Sequence, residues 1–185
     1  MNKSLHYTTE AELIEACKKG DRAAQKELYE KYSPLMYPVC VRYVGREVAK
    51  DVLQDGFIRL FEKIGTYKGE GSFEGWMRRL FVNASLMELR RFSAFKNSSE
   101  IEDSPAVEME SGFVSAISEI GAKELMALIE QMPVGFRSVF NLAAIEGYTH
   151  AEIAQMLGIG EASSRSQLSR ARVWLQDKIK RMYNR

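Results

Sequence analysis

Thr149-His150-Ala151-Glu152-Ile153-Ala154-Gln155-Met156-Leu157-Gly158-Ile159 reads as a short helix that runs into a sharp turn. Thr149 stands where a side-chain oxygen caps a helix, and Gly158 is the residue that lets the chain turn out of it. Ala154 is small enough to let a neighbouring helix approach closely. Ile153, Leu157, Ile159 and Leu168 are placed to bury the angle between that helix and the next. The next helix, from about Ala162 to Met182, presents Ser163, Ser164, Arg165, Ser166, Gln167 and Arg170. Two helices separated by Gly158-Ile159-Gly160 form the arrangement expected of a helix-turn-helix. Residues near the start of such a second helix meet base edges, and Arg or Ser farther along holds phosphates. Arg and Gln carry the paired donors and acceptors that read guanine and adenine. The competing reading of the same residues is a helical hairpin with a solvated basic face.

Working upstream, Ala122 to Met132 reads as a helix that stops before Pro133, and Phe136 to Glu146 as another closed by Gly147. Before them the helical pattern collapses. Asn97-Ser98-Ser99-Glu100, Glu102-Asp103-Ser104-Pro105 and Glu108-Met109-Glu110-Ser111-Gly112 are polar, acidic and turn-rich, as a linker should be. Phe113, Val114, Ile117 and Ile120 are spaced to begin a helix of the following domain. The organisation is therefore all-α: a helical domain over 1–95, a linker over 96–120 and a second helical domain over 121–185.

The first domain reads as four helices. Thr9-Glu10-Ala11-Glu12 is a capping box ahead of Leu13, Ile14 and Cys17, Gly20 breaks that helix, and Asp21 caps the next. In the second helix Ala24, Leu28, Tyr32, Leu35, Val39 and Tyr43 recur every three or four residues. Pro34 and Pro38 are expected to kink or shorten it. A third helix, Glu47 to Lys63, carries Val48, Val52, Phe57, Leu60 and Phe61 as its apolar stripe. Three glycines in Gly65-Thr66-Tyr67-Lys68-Gly69-Glu70-Gly71-Ser72 mark a loop, and a fourth helix runs from Phe73 to about Phe92.

Two constellations in this half carry chemistry. On the third helix, Asp51 and Asp55 lie one turn apart on the face shared with Gln54, where like charges repel by a few tenths of a kcal/mol. By residue type alone that is a solvated face, and the second reading is a surface that meets a basic partner. No cleft accompanies the two carboxylates, so they make no acid/base pair. The fourth helix interleaves aromatic and basic residues in Phe73-Glu74-Gly75-Trp76-Met77-Arg78-Arg79-Leu80-Phe81-Val82-Asn83 and ends in Arg90-Arg91. Such a surface suits single-stranded nucleic acid, with Arg tracking the backbone. Trp76 and Phe81 are expected in the core, leaving Arg78, Arg79 and Asn83 outside. The preceding glycines lack the Walker spacing and its Lys-Ser/Thr, so the loop is no phosphate cradle.

The bulk composition excludes several classes. Of 185 residues, 45% are hydrophobic and 28% charged, which suits a globular protein with one good core or two small ones. No stretch of about 18 uncharged apolar residues is present, so no membrane insertion is expected. The first residues, Met1 to His6, lack the apolar run of a secretory signal, which points to the cytoplasm. Cys17 and Cys40 fall within apolar helical patterns and read as packing residues. With only His6 and His150 besides, there is no metal-ligand spacing, and neither a metal nor a cofactor is expected. The net charge of +1 hides an asymmetry. Residues 96–120 hold one basic and six acidic groups, a net of −5, and residues 158–185 hold seven basic and two acidic, a net of +5. A basic segment attracts polyanions.

In series, these segments resemble the extracytoplasmic-function (ECF) sigma factors of the sigma-70 family. Asp51-Val52-Leu53-Gln54-Asp55…Phe57 is similar to the family's core-polymerase-binding helix, and Phe73…Trp76-Met77-Arg78-Arg79-Leu80…Asn83 with Arg90-Arg91 to its promoter-melting helix. Met132-Pro133…Phe136-Arg137…Phe140…Gly147-Tyr148-Thr149…Glu152-Ile153-Ala154…Leu157-Gly158-Ile159 is similar to its C-terminal promoter-binding domain. The resemblance implies a non-enzymatic transcription initiation factor. Asp51, Gln54, Asp55 and Arg59 would dock on the clamp helices of the largest subunit of core RNA polymerase. Tyr67, Lys68, Arg78, Arg79 and Asn83 would engage the minus-ten element, the Gly65–Ser72 loop capturing a flipped base. Ser163, Ser164, Arg165, Ser166, Gln167 and Arg170 would read the minus-thirty-five element. The second domain would lean on the flap of the second-largest subunit, the linker would occupy the RNA exit path, and an anti-sigma factor is an implied further partner. The chain departs from the pattern at Met87, where the family often has Asp, and at Ala162-Ser163-Ser164-Arg165-Ser166-Gln167, where many relatives have Gly-Thr-Val-Lys-Ser-Arg. The rival function is a helix-turn-helix regulator that acts without polymerase, which leaves the first domain unexplained. An enzyme acting on nucleic acid would need a carboxylate-metal site or an activated nucleophile, and an open helix face is a poor candidate.

Overall fold

The capping box at Thr9 sets the first helix, α1 (Glu10–Lys18): the Glu12 amide donates to Thr9 Oγ1 at 3.2 Å and the Thr9 amide to Glu12 Oε2 at 3.1 Å. This computed structural model describes residues 7–92 and 120–183, and every regular element among those residues is helical. The chain divides into two compact units, 1–88 and 89–185, each with its own core. Of the expected linker, all but Ile120 lies outside the described residues, as does the helix start sought at Phe113, Val114 and Ile117.

After Gly20, which adopts a left-handed φ of 79°, Asp21 caps α2 (Arg22–Val44) by accepting from the amides of Ala23 and Ala24. The two prolines do not shorten α2: Pro34 and Pro38 sit inside 23 continuous helical residues. Both are exposed and one turn apart, so the pyrrolidine rings and the carbonyls deprived of donors share a face that water reaches. The opposite face holds the helix, burying Ala24, Leu28, Tyr32, Met36, Val39, Cys40 and Tyr43. Leu35, expected in that stripe, points outward instead.

The third helix, α3 (Arg46–Lys63), turns a slightly different face inward from the one its large side chains suggested. Ala49, Val52, Leu53, Gly56, Phe57 and Leu60 are buried, while Val48 and Phe61 are only half-buried. The reason is a close crossing with α4 (Phe73–Arg91). A Cβ added at Gly56 would come within 2.4 Å of the Phe81 ring, so a glycine is needed there. Phe81 is itself fully buried and meets Phe57 edge-on at 5.0 Å. Between α3 and α4 a short 3-10 turn (Ile64–Thr66) leads into the glycine-containing loop.

The second unit begins its described core with α5 (Ala122–Gln131), followed by Pro133 and α6 (Val134–Phe140). Buried Arg137 ties the two together, its Nη1 donating to the Glu130 carbonyl at 2.7 Å. The helix expected over 136–146 is not regular throughout. Its last turn, Asn141–Ile145, widens to π geometry, and the Glu146 amide reaches back five residues to the Asn141 carbonyl. α7 (His150–Leu157) and the long α8 (Glu161–Tyr183) complete the unit.

Candidate nucleic-acid and partner surfaces

The burial of one face of α3 fixes the direction of the other. Asp51, Gln54 and Asp55 are exposed along it, with Glu47, Lys50 and Ile58 also exposed and Arg59 half-buried. All four residues picked out on this helix therefore share one outward strip, with Arg59 at its edge. Beside the strip, α2 and α3 enclose a groove of about 530 Å³ lined by Tyr29, Ser33, Pro34, Tyr37, Lys50 and Gln54. The strip carries two carboxylates and an exposed isoleucine.

The loop before α4 separates its residues sharply. Tyr67 does not face solvent. Its ring packs at 5.1 Å from Phe73 and 5.4 Å from Trp76, and its hydroxyl donates to the Gly71 carbonyl at 2.8 Å. It shapes the loop from inside. Lys68 is exposed, and Gly69 and Gly71 take left-handed φ values of 81° and 75° that side chains rarely adopt. On α4, Arg79 and Asn83 are exposed one turn apart. Arg78 is half-buried and pairs with Glu74 at 3.2 Å. The three polar residues expected outside the core are thus at the surface or its edge, and Phe81 is core as expected, with Trp76 half-buried.

In the second unit, the turn has the geometry its sequence required. Thr149 and Glu152 form a capping box, and Gly158 closes α7 at a left-handed φ of 69°. The six residues expected to face DNA on α8 then divide. Arg165 is exposed and forms a one-turn pair with Glu161 at 3.3 Å. Ser163, Ser166 and Arg170 are half-buried, the Ser166 hydroxyl donating to the Ser163 carbonyl at 3.1 Å. Ser164 and Gln167 are buried. Ser164 Oγ lies 2.8 Å from His150 Nδ1, and Gln167 Nε2 donates to Ser163 Oγ at 3.2 Å. These two belong to the packing of the motif, because an i, i+3 pair on a helix shares one face and this face turns inward.

Sequence reasoning missed His150, the partner of Ser164, and also Gly56. For Gly56 a signal was present, since a glycine inside a strong helical pattern marks a close approach. Among the described residues, no group of three or more His, Cys, Asp or Glu is placed to hold a metal ion, and no helix is long and apolar enough to cross a membrane.

Two sequence families match the two units in turn: sigma-70 region 2 over residues 28–94 and sigma-70 region 4 over residues 122–175. The ECF RNA polymerase sigma factor SigE of Mycolicibacterium smegmatis is 33% identical over 165 residues, covering 85% of this chain and 63% of that protein. The chain thus spans somewhat under two thirds of that relative's length. The ECF RNA polymerase sigma-E factor of Escherichia coli is 27% identical over 188 residues, covering 96% of this chain and 97% of that one. The sigma factor RpoE of Bartonella quintana, solved in complex with the anti-sigma factor NepR, shares the fold at a TM-score of 0.51 with 16% identity. That match covers 84% of this chain and 96% of that one. An all-helical protein with these two regions in this order is a sigma-70-type factor. The chain belongs to the ECF group of that family.

Proposed function

We propose that this chain is an alternative-sigma transcription initiation factor, which binds core RNA polymerase and directs it to particular promoters. It acts by binding rather than by catalysis, in the cytoplasm, where polymerase is. The observation that carries the reading is the succession along one chain of three outward surfaces of different character: an acidic strip on α3, a basic face on α4 beside a glycine loop, and a helix-turn-helix.

Asp51, Gln54, Asp55 and Arg59 dock on the clamp helices of the polymerase's largest subunit, as opposite charge steers and registers such contacts. Lys68, Arg79 and Asn83, with Arg78 once it leaves Glu74, engage the minus-ten element while the loop holds an extruded base. Extrusion costs a few kcal/mol of stacking, which the loop pocket must offset. Arg165, flanked by Ser163, Ser166 and Arg170, faces the minus-thirty-five element in the major groove. Residues 1–95 thus serve polymerase binding and melting, residues 121–185 serve upstream recognition and lean on the flap of the second-largest subunit, and the acidic stretch over 96–120 lies along the RNA exit path. An anti-sigma factor is the proposed negative regulator.

In vitro transcription from a promoter library, using bacterial core polymerase and this protein, tests the reading. Starts that depend on the protein and share two spaced elements support it. Tight, specific duplex binding by the protein alone, with no dependent starts, would replace it with a polymerase-independent regulator.

A further inference from the structure

We infer that Glu10, at the start of α1, is a positioning residue for the base-capturing loop over Tyr67–Ser72, acting through Tyr32 and an aromatic cluster. The inference rests on the reading of that loop as the minus-ten pocket.

The chain of contacts begins at the Glu10 carboxylate, which accepts hydrogen bonds from the Tyr32 hydroxyl and from Lys31 Nζ, the latter at 3.2 Å. The Tyr32 hydrogen bond lowers the Glu10 carboxyl below its usual value, with Lys31 adding to the effect. Burial, and then the hydrogen bond to Glu10, raises the Tyr32 phenol. Tyr32 therefore stays a proton donor and Glu10 an anion, the combination that makes a strong, charge-assisted bond. The Tyr32 ring is buried and meets Phe73 edge-on at 5.8 Å and 69°. Phe73 is the first residue of α4 and the downstream anchor of the loop. It also stacks on Trp76 at 5.7 Å and meets Tyr67, the loop's upstream anchor, at 5.1 Å.

Both ends of the loop are thus held by one cluster, and the cluster is held by α1. The loop turns at two glycines of left-handed φ, and a hydrogen bond from Tyr67 Oη to the Gly71 carbonyl braces it from within. That brace positions the loop only as well as Tyr67 itself is fixed. Tyr67 also faces α1 directly, across a cleft of about 270 Å³ lined by Glu10, Ala11, Ile14, Lys18 and Lys68 beside it. Removing the Glu10–Tyr32 bond frees the start of α1 and one wall of the cluster, without touching the acidic strip on α3. Base selection then suffers and polymerase affinity does not. Misplacing a binding group by small distances is costly because the contacts it makes are short.

The test uses the full chain with core polymerase on promoters bearing single-base changes in each element. Glu10→Ala and Tyr32→Phe are each expected to lower discrimination among minus-ten bases by about tenfold, the scale of a lost hydrogen bond to a charged group. The double variant loses no more than either single one, because the two residues act as a unit. Glu10→Gln, which keeps an acceptor, retains most of the discrimination. Polymerase affinity and minus-thirty-five discrimination stay at wild-type values, which a general loosening of the fold would not allow. Wild-type minus-ten discrimination in both Glu10→Ala and Tyr32→Phe overturns the inference, as does an equal loss on every promoter. Lys68→Ala and Asn83→Ala separate the two levels. If they too leave minus-ten discrimination intact, the loop reading fails. If they abolish it while the Glu10 and Tyr32 variants do not, only the positioning role fails.

Discussion

His150 Nδ1 lies 2.8 Å from the hydroxyl of Ser164, joining the first turn of α7 to the first turn of α8, and no part of Ser164 reaches solvent. The bond fixes how the second helix of the motif sets off from the first. His150→Phe is expected to leave the Ser164 hydroxyl buried and unpaired, at about 1–3 kcal/mol of destabilisation. Combining it with Ser164→Val, so that both polar groups go, recovers most of that loss. Urea unfolding followed by Trp174 fluorescence, in a Trp76→Phe background, measures both. A double variant as unstable as His150→Phe alone would mean the ring's shape, not its hydrogen bond, matters.

Gly56 gives a second stability prediction with opposing terms. Alanine in a helix interior gains up to about 1 kcal/mol over glycine. Against this, the new methyl would lie 2.4 Å from a fully buried ring that has nowhere to go. Overpacking of this kind costs about 1–3 kcal/mol, so Gly56→Ala should be net destabilising. Thermal unfolding checks the sign. Gly56→Ala combined with Phe81→Leu should be milder than the sum of the two single changes.

The acidic strip on α3 predicts a charge-reversal phenotype. Asp51→Lys with Asp55→Lys should leave helicity and unfolding unchanged, because both side chains are exposed. Affinity for core polymerase should fall by about a hundredfold or more, as juxtaposed like charges cost several kcal/mol at an interface. Fluorescence anisotropy with labelled protein gives both numbers. Undiminished affinity would remove the docking assignment.

Among the described residues, Arg165 is held by an exposed one-turn pair with Glu161, a contact worth a few tenths of a kcal/mol. A DNA contact that replaced this pair would forfeit little. Arg165→Ala should weaken recognition of one upstream base pair by about 1–3 kcal/mol. An even loss over all sequences, with a shallower salt dependence, would make it a phosphate contact instead.

Burial pushes the Cys17 thiol up to about 11 and the Cys40 thiol up to about 12. The thiolate is the reactive form, so both should resist alkylation near neutral pH and react promptly once the chain is unfolded. Mass spectrometry after iodoacetamide treatment, with and without urea, distinguishes these states. Rapid labelling of the native protein would contradict the burial.

Helices in this chain were legible because their signals are local. Thr9 and Thr149 cap where a hydroxyl or acid precedes an apolar run, and Gly20 and Gly158 end helices at left-handed φ. What sequence hid was decided between elements. Tyr67 looks like a surface aromatic in a polar loop, and only the approach of Phe73 and Trp76 draws it inside. Ser164 looks like its neighbours Ser163 and Ser166, yet its position against α7 makes it a buried partner of His150. Periodicity assigned α3 its inward face by side-chain size, while the crossing with α4 selected the smallest residue, Gly56, for the closest contact.

Pro34 and Pro38 carry a consequence for how the first domain comes together. Each interior proline costs a free helix about 3 kcal/mol, far beyond what the other residues of α2 recover by propensity. A peptide of residues 22–44 is therefore expected to break its helix at the two prolines. The longest rod in the domain is straight borrowing: its shape exists only while Leu28, Tyr32, Met36 and Val39 are clasped by their neighbours. Excised or grafted elsewhere, it is expected to lose its continuity across Pro34 and Pro38, where the buried face alone carries the helix through. The element lining one wall of the groove beside the acidic strip thus takes its continuity from the packing of the bundle behind it.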